Sequence, residues 1–397
     1  MKDKTIVLWG KGNIGKDTYK KYFMNQNVIM VDSSVIDVEY TNILGNEIAV
    51  FNPTILRANK HKYNVFVCMK KHREDVYKLL DINGYKKNVN YFSYRFLDKD
   101  IIDPEECLFG GKEIIVKEKK SGKKVVAFFG TCHMGVYKDS LKQMKSFTEK
   151  YIIIDLPLVN EVDLQEHKLI GEKWLWEECD CVFLNQIYAI NQYKVPDTIT
   201  IMKWAKNAQS FVISNAMFKG YFPQTNTRVK TSMLDYFTWG DININYMLKK
   251  GMGCEDIVSN ICDVNFYKKE EVDSYFLKEL RSLEKLEKNC DIQVTDIIAK
   301  NYKEYLYRSW SHPTKIMFKK IIDKICKMLD LREKYEIKFD LIYHEQIVYP
   351  SIIEKLDLDK NFYIGRKINP GNYDVQYDIE QYIKEYVKRR PAMKSQP

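Results

Sequence analysis

The sequence has no C-x-x-C pair, no apolar run of about 18 residues and no nucleic-acid-binding motif. Its nine cysteines are scattered without regular spacing. The nearest pair, Cys179 and Cys181, alternates along a strand and so points to opposite faces, which makes poor ligands for one metal. No metal site is expected. An odd number of thiols without a framework fits reduced cysteines in a cytoplasmic setting. The opening MKDKTIVLWGKG carries an apolar run too short for a signal peptide or a span, so the chain reads as cytoplasmic, with no integral membrane segment.

What is present is ordinary for a folded protein: 45% hydrophobic and 29% charged residues over 397 positions, a length that implies more than one domain. The formal charge is +9, with Lys-rich patches at 117–124 and 384–394. Acidic residues interleave with the basic ones. The surplus therefore suits solvated faces and a small phosphate-bearing ligand better than nucleic acid. Oligomeric state is not legible.

Residues 1–96 read as a small Rossmann-like α/β unit. TIVLWGKGNIGKDTYKKYF gives strand, glycine turn and helix, with Gly10, Gly12 and Gly15 in G-x-G-x-x-G spacing. NVIMVDSS then ends a second strand at Asp32, where a ribose hydroxyl partner would sit. The four residues are candidates for a nucleotide site; the glycines serve equally as a tight turn that lets helix and strand approach. Residues 97–124, charged and glycine-containing, read as a linker.

Residues 125–225 alternate apolar runs (VVAFFG, YIIIDLP, CVFLNQ, SFVISNA) with helix-compatible stretches, the pattern of a parallel sheet covered on both faces. Ligands of such sheets bind beyond the carboxyl ends of the strands. Those ends carry Thr131-Cys132-His133, Asp155, Asn185-Gln186 and Ser214-Asn215, a polar rim. Residues 226–390 read as mainly helical, including a Leu277, Leu280, Leu283 and Leu286 stripe and two helices broken at SWSHPT. Pro313 is expected in the first turn of the second helix. The tail after Arg389 is expected to be disordered. The fold class is thus α/β: a small Rossmann-like N-terminal domain, then a parallel-sheet domain (125–390) with a mainly helical C-terminal part.

A cysteine where a strand turns into a helix sits against the positive helix end, which lowers thiol pKa and exposes backbone N–H groups able to hold an oxyanion. Gly130-Thr131-Cys132-His133 is such a junction. The adjacent His133 is an awkward base, since neighbouring side chains diverge at a turn. His312, at another helix start, is the candidate base, while His61, His72, His167 and His344 are set aside as structural or solvated.

From about residue 125 to 355 the chain resembles the WcbI-type family of capsular polysaccharide biosynthesis enzymes. The likeness rests on Gly130-Thr131-Cys132-His133 against the family's G-N-C-Q, on DCVFLNQIY with Gln186, and on SNAMFKGYFPQ with Asn215, Phe218, Gly220, Tyr221 and Pro223. It continues through His312-Pro313-Thr314 and EQIVYPSI. Thr131 and His133 depart from the family's Asn and Gln. The resemblance implies coenzyme A or acetyl-coenzyme A binding and acyl transfer to a sugar hydroxyl of a glycan precursor, with Cys132, His312 and His133 as catalytic candidates. Gly130, Thr131, Gln186, Asn215, Tyr221 and Thr314 are then candidates for binding. Two other readings stay open: an acyl-glycan hydrolase, and a non-catalytic coenzyme A or nucleotide-binding scaffold of a glycan assembly complex.

Overall fold

The computed structural model describes residues 4–57, 60–69, 73–104, 107, 111–159, 164–188, 194–226, 237, 239–337, 344–371 and 375–389. His72 and the tail beyond Arg389 lie outside them. The chain divides into two compact units. One comprises residues 1–127, 151–157 and 161–178; the other comprises 128–150, 158–160 and 179–397.

The first unit holds a six-stranded sheet. Its strands are β1 (Thr5–Trp9), β2 (Val28–Val31), β3 (Glu39–Ile43), β4 (Asn46–Phe51), β5 (Tyr63–Val67) and β6 (Tyr91–Ser93), in the order β3-β4-β2-β1-β5-β6. All pairs are parallel except β3–β4. Without β3 this is the doubly wound order, with the winding reversing beside β1. Alternate residues feed two cores: Ile6, Leu8, Met30 and Phe66 on one face, Val7, Trp9, Val31 and Val65 on the other. A sheet buried on both faces needs mostly apolar strands, which β1, β2 and β5 supply, with Asn64 in β5 the buried polar exception. The β3–β4 hairpin has no counterpart in the sequence reading; Leu44 (φ 53°) and Gly45 (φ 85°) form its turn.

Helix α1 (Asn13–Thr18) follows the glycine turn and runs on as a wider turn over Tyr19–Phe23. The three glycines do different work. Gly10 has φ 119°, where side chains are strained, and a Cβ on Gly15 would lie 2.0 Å from the Gly10 carbonyl oxygen. Gly12 has nothing within 4 Å of its would-be Cβ.

A second sheet has five strands in the order β11-β10-β8-β9-β7. They are β7 (Ile101–Ile102), β8 (Lys124–Phe129), β9 (Tyr151–Ile154), β10 (Cys181–Asn185) and β11 (Gln209–Ile213). The stretch expected as a linker is therefore built into the fold: it supplies edge strand β7 and helix α3 (Lys112–Lys119), α2 being Arg73–Ile82. The strand order turns at β8. The next strand in sequence, β9, lies to one side of it and β10 to the other, which makes the carboxyl end of β8 a switch point.

After β11 the chain is mainly helical, as expected. In α5 (Lys269–Leu286) the packing residues are Val272, Phe276 and Leu283, while Leu277 and Leu286 are exposed. The leucine stripe was misread because steps of three residues drift round a helix of 3.6 residues per turn, leaving positions nine apart on opposite sides. The SWSHPT region is not a break between abutting helices. Tyr307–Ser309 (β12) and His312–Pro313 (β13) pair as a small antiparallel hairpin, and α6 (Lys315–Met328) starts only after the N-cap Thr314. Pro313 thus precedes the helix.

Alanine at positions 12 and 15 separates the two uses of glycine. Gly15→Ala should destabilise the protein by about 1–3 kcal/mol or more through overpacking, and Gly12→Ala by less than about 0.5 kcal/mol. Denaturant melts that shift equally for both variants would contradict this account of the turn.

Candidate functional site at the Cys132 turn

Helix α4 (Cys132–Leu141) begins directly beyond β8, with extended Thr131 as its N-cap. Thr131 makes no side-chain cap hydrogen bond to its own helix. Its backbone N–H and its hydroxyl both donate to Asn185 Oδ1, each at 3.0 Å. Asn185 ends β10 and is fully buried. Its amide nitrogen donates to the carbonyls of Ile213 (3.3 Å) and Ser214 (3.4 Å) at the end of β11. One buried amide therefore fastens three strand ends. Gly130 makes this possible, since a Cβ there would lie 2.4 Å from Asn185 Oδ1.

Further along the rim, Asn215 donates to the Gln186 carbonyl at 2.8 Å, while its Oδ1 is buried with no hydrogen-bond partner among the described residues. Thr198 Oγ donates to Asn185 O and accepts from Ile187 N, both at 2.7 Å. Asp155, expected on the same rim, is instead ion-paired with buried Arg95 at 2.8 Å.

Cys132 is half-buried at the first position of α4 and carries no disulfide. The Tyr137 hydroxyl, on the same helix, is buried without a hydrogen bond among the described residues; burial, and then the nearby Cys132 sulfur, push its pKa up. His133 is 1% exposed, with its ring edge-on to Phe318 at 5.4 Å. Its Nε2 is 3.2 Å from the Ser311 carbonyl oxygen. A carbonyl can only accept, so Nε2 carries the proton. Desolvation takes the His133 pKa down to about 4, against the opposing pull of the Ser311 and Asn215 backbone groups.

That His133–Ser311 bond ties α4 to the β12–β13 hairpin, and His133 is close enough to His312 to act on its charge. His312 Nδ1 lies 2.8 Å from Ser309 Oγ, and its ring stacks on His344 at 5.9 Å. Its pKa falls to about 3: burial is the largest cause, and His133, His344 and Arg308 add charges that oppose protonation. His344, set aside in the sequence as a loop residue, is thus part of this group. It adopts φ 61°, and nothing in its local sequence marks it.

Two expected binding residues lie in the interior. Tyr221 is 1% exposed, packs on Phe218, Phe276 and Tyr307, and donates its hydroxyl to Tyr302 O at 2.8 Å. Thr314 is 3% exposed and donates to Tyr305 O at 2.6 Å. Both hydroxyls are spent on the fold. In the first unit, Asp32 accepts from Lys11 N (3.2 Å) and from Ser34 N and Oγ (3.0 and 2.7 Å). Desolvation pushes its pKa up, but those bonds outweigh it and hold the carboxylate below its usual range. His61 lies in a short turn at Lys60–Lys62 with no buried residue, and His167 falls in a helix, Leu164–Gly171. Among the described residues no group of His, Cys, Asp and Glu is placed to hold a metal, and no helix is long and apolar enough to cross a membrane.

Residues 125–334, which span both the Cys132 turn and the His312 hairpin, match the family model of the polysaccharide biosynthesis enzyme WcbI. The chain belongs to the WcbI family. A solved WcbI structure superposes with a TM-score of 0.55 at 15% identity, covering 69% of this chain and 91% of that one. That protein is described as a polysaccharide biosynthesis enzyme, in a native form without a disulfide bond between coenzyme A and one of its cysteines. At this identity the match shows a shared fold. Aspartate semialdehyde dehydrogenase II of Vibrio cholerae, complexed with ASA, overlaps 38% of this chain and 65% of its own at 11% identity. Its TM-score of 0.21 carries no argument. No curated protein matches the chain by sequence. The WcbI-family domain thus contains the Cys132 turn, and the expected α/β class with a Rossmann-like unit ahead of it holds.

The two histidines make acid stability testable. Unfolded, each takes up a proton near its ordinary pKa of 6.5; folded, His133 resists until about 4 and His312 until about 3. Their contribution is complete above about pH 6.5 and is lost as pH falls, at about 1.4 kcal/mol per pH unit per group. Buried Asp241, pushed up to about 6 by desolvation, works in the opposite direction. His133→Gln keeps a donor for Ser311 O but cannot titrate. The variant should lose less Tm than the parent between pH 7 and 5, and identical slopes would show that His133 is protonated in the fold.

Proposed function

We propose that this WcbI-family domain transfers an acyl group, most simply acetyl, from coenzyme A to a sugar hydroxyl of a surface-glycan precursor in the cytoplasm. The observation that carries the reading is the junction of two elements. Half-buried Cys132 heads α4 at the sheet's switch point, and the next residue, His133, is bonded to Ser311, which directly precedes His312. The WcbI structure, described as a native form without a disulfide bond between coenzyme A and one of its cysteines, supports placing the thiol end of coenzyme A at Cys132. Domain limits of 1–96 and 125–390 belong to the same proposal.

The residues present suit such a ligand. The indole N–H groups of Trp239 and Trp310, rings 5.0 Å apart, are buried without acceptors among the described residues. Lys219 Nζ lies 5.0 Å from the Trp310 ring. The tryptophans offer an aromatic wall and unused donors, and Lys219 a charge for a phosphate. Asn215 Oδ1 and the backbone N–H groups at the start of α4 offer an acceptor and donors at the other end. Bound coenzyme A thioester would supply an activated acyl carbonyl. The α4 N–H groups would stabilise charge developing on that carbonyl oxygen, and His312 would accept the proton of the sugar hydroxyl and pass it to the coenzyme A thiolate as the carbon–sulfur bond breaks.

With a pKa of about 3, His312 is fully deprotonated at neutral pH but weakly basic. Phosphate charge close to Arg308 would raise it. The Gly10–Gly15 turn takes no nucleotide in this reading, because Asp32 is committed to Lys11 and Ser34. The low basicity of His312 favours one rival, a scaffold that binds coenzyme A without turnover. The same residues with water as acceptor would make a hydrolase.

Acetyl-coenzyme A incubated with the full chain, with and without nucleotide-sugar acceptors, separates the three. Thiol release that needs an acceptor indicates transfer, release without one indicates hydrolysis, and binding without release indicates the scaffold. In the transfer case His312→Ala should lower kcat by about 10²–10⁴-fold, and Cys132→Ser should lower it as well. Near-normal turnover by a folded His312→Ala protein would remove that residue from the mechanism.

A further inference from the structure

We propose that the open edge of β3 is a self-association surface, on which a second copy of this chain lays its own β3 antiparallel across a two-fold axis. β3 is the outermost strand of the six-stranded sheet, so one side of its backbone has no strand partner among the described residues. The register with β4 tells which backbone groups are left. Ile43–Asn46 closes the two-residue turn, and Thr41–Ile48 and Glu39–Val50 follow at alternate positions. Ile43, Thr41 and Glu39 therefore spend their N–H and C=O groups on β4, and the alternation turns those of Tyr40 and Asn42 outward. A row of such groups is a template for another strand.

Edges of this kind are normally guarded by Lys, Pro or a bulge. Residues 36–45 (IDVEYTNILG) contain no Lys, Arg or Pro, and the register with β4 runs without a shift. What stands there is apolar and exposed: Ile36, Val38, Tyr40 (64%) and Leu44 (68%). Side chains alternate, so Val38 and Tyr40 share one face. Glu39 lies on the other, where Lys11 Nζ neutralises it at 2.8 Å. The turn adds an independent sign. Leu44 has φ 53° and Gly45 φ 85°, a pair of conformations for which Asn-Gly is favoured and a large apolar residue is an outlier. An exposed leucine there weakens the hairpin it turns, which places its use outside this copy.

What fits that edge is the edge itself. With the two-fold axis at Thr41, Tyr40 opposes Asn42 of the second copy, and the two exchange both backbone hydrogen bonds. Val38 then opposes Leu44, and Glu39 opposes Ile43, so apolar groups meet and no like charges face each other. The strand edges and their side chains amount to roughly 1,000 Å² in total, the weak end of specific interfaces, so the dimer forms at micromolar concentration. A two-fold contact uses the same patch on both copies and closes at two. The surface lies on the first unit and does not depend on the acyl-transfer reading.

Analytical ultracentrifugation of the full-length protein from about 1 to 200 µM tests this. The mass should rise with concentration from 47.2 kDa towards twice that value and stop there. Tyr40→Lys puts a charge on the edge and should leave the protein monomeric throughout. Leu44→Asn should weaken association by about 10-fold, the worth of one apolar side chain. The same variant should raise Tm, because Asn suits the turn. Thr41→Cys, at the two-fold axis, should oxidise to a covalent dimer that the parent, with its native cysteines, does not form. A monomer over the whole range would overturn the proposal. So would a dimer unchanged in Tyr40→Lys and Leu44→Asn, a Tm lowered by Leu44→Asn, no cross-link through Thr41→Cys, or masses that grow past two copies.

Discussion

Everything at the Cys132 turn depends on the Asn185 side chain. Its oxygen takes both hydrogen bonds of Thr131, and its nitrogen reaches the carbonyls of Ile213 and Ser214. The ends of β8, β10 and β11 are therefore fixed by one buried amide whose donors and acceptor are all used. Without it, the N-cap of α4 would have no side-chain partner, since the Thr131 side chain bonds nothing in its own helix. A hydrogen bond in this setting is worth about 1 kcal/mol net, while an orphaned buried partner costs more than that. The same constraint explains Gly130, because the amide occupies the space any side chain would take.

A second dependence follows through His133. Helix α4 and the β12–β13 hairpin are far apart in sequence, and the Nε2–H donated to Ser311 O joins them. That bond needs one proton on the ring and tolerates burial only of the neutral form. Desolvation enforces the neutral form, so His133 acts as a strap more than as a titrating group. His312 inherits the environment: Ser309 orients its Nδ1, and Arg308, His133 and His344 suppress its charge.

Much of this was legible. The apolar runs of β1, β5, β8, β9, β10 and β11 announce two parallel sheets, because strands covered on both faces are built mostly of apolar residues. Thr131-Cys132-His133 was readable as a strand-to-helix junction for the same reason. The hairpin at 307–313 was not, since Tyr-Arg-Ser and His-Pro carry no alternation long enough to outweigh the helical segments around them. The two-residue edge strand β7 was missed because so short a strand leaves little pattern, and the β3–β4 hairpin because its strands are largely polar and exposed. Tyr221 and Thr314 look like ligand groups in a motif, yet both hydroxyls bond to backbone carbonyls inside the fold. His344 was passed over because an isolated loop histidine carries no local signal at all.

By itself the sequence determined the class of fold, the glycine turn that needs Gly10 and Gly15, and the position of Cys132 at a helix start. These are local matters, governed by side-chain period, backbone freedom and the order of apolar and polar residues. Tertiary structure alone decided that Asn185 would be spent on Thr131, that His133 would be sealed against Phe318, and that His344 would meet His312. Each joins residues distant in the chain, and burial, unlike composition, is a property of what surrounds a group after folding.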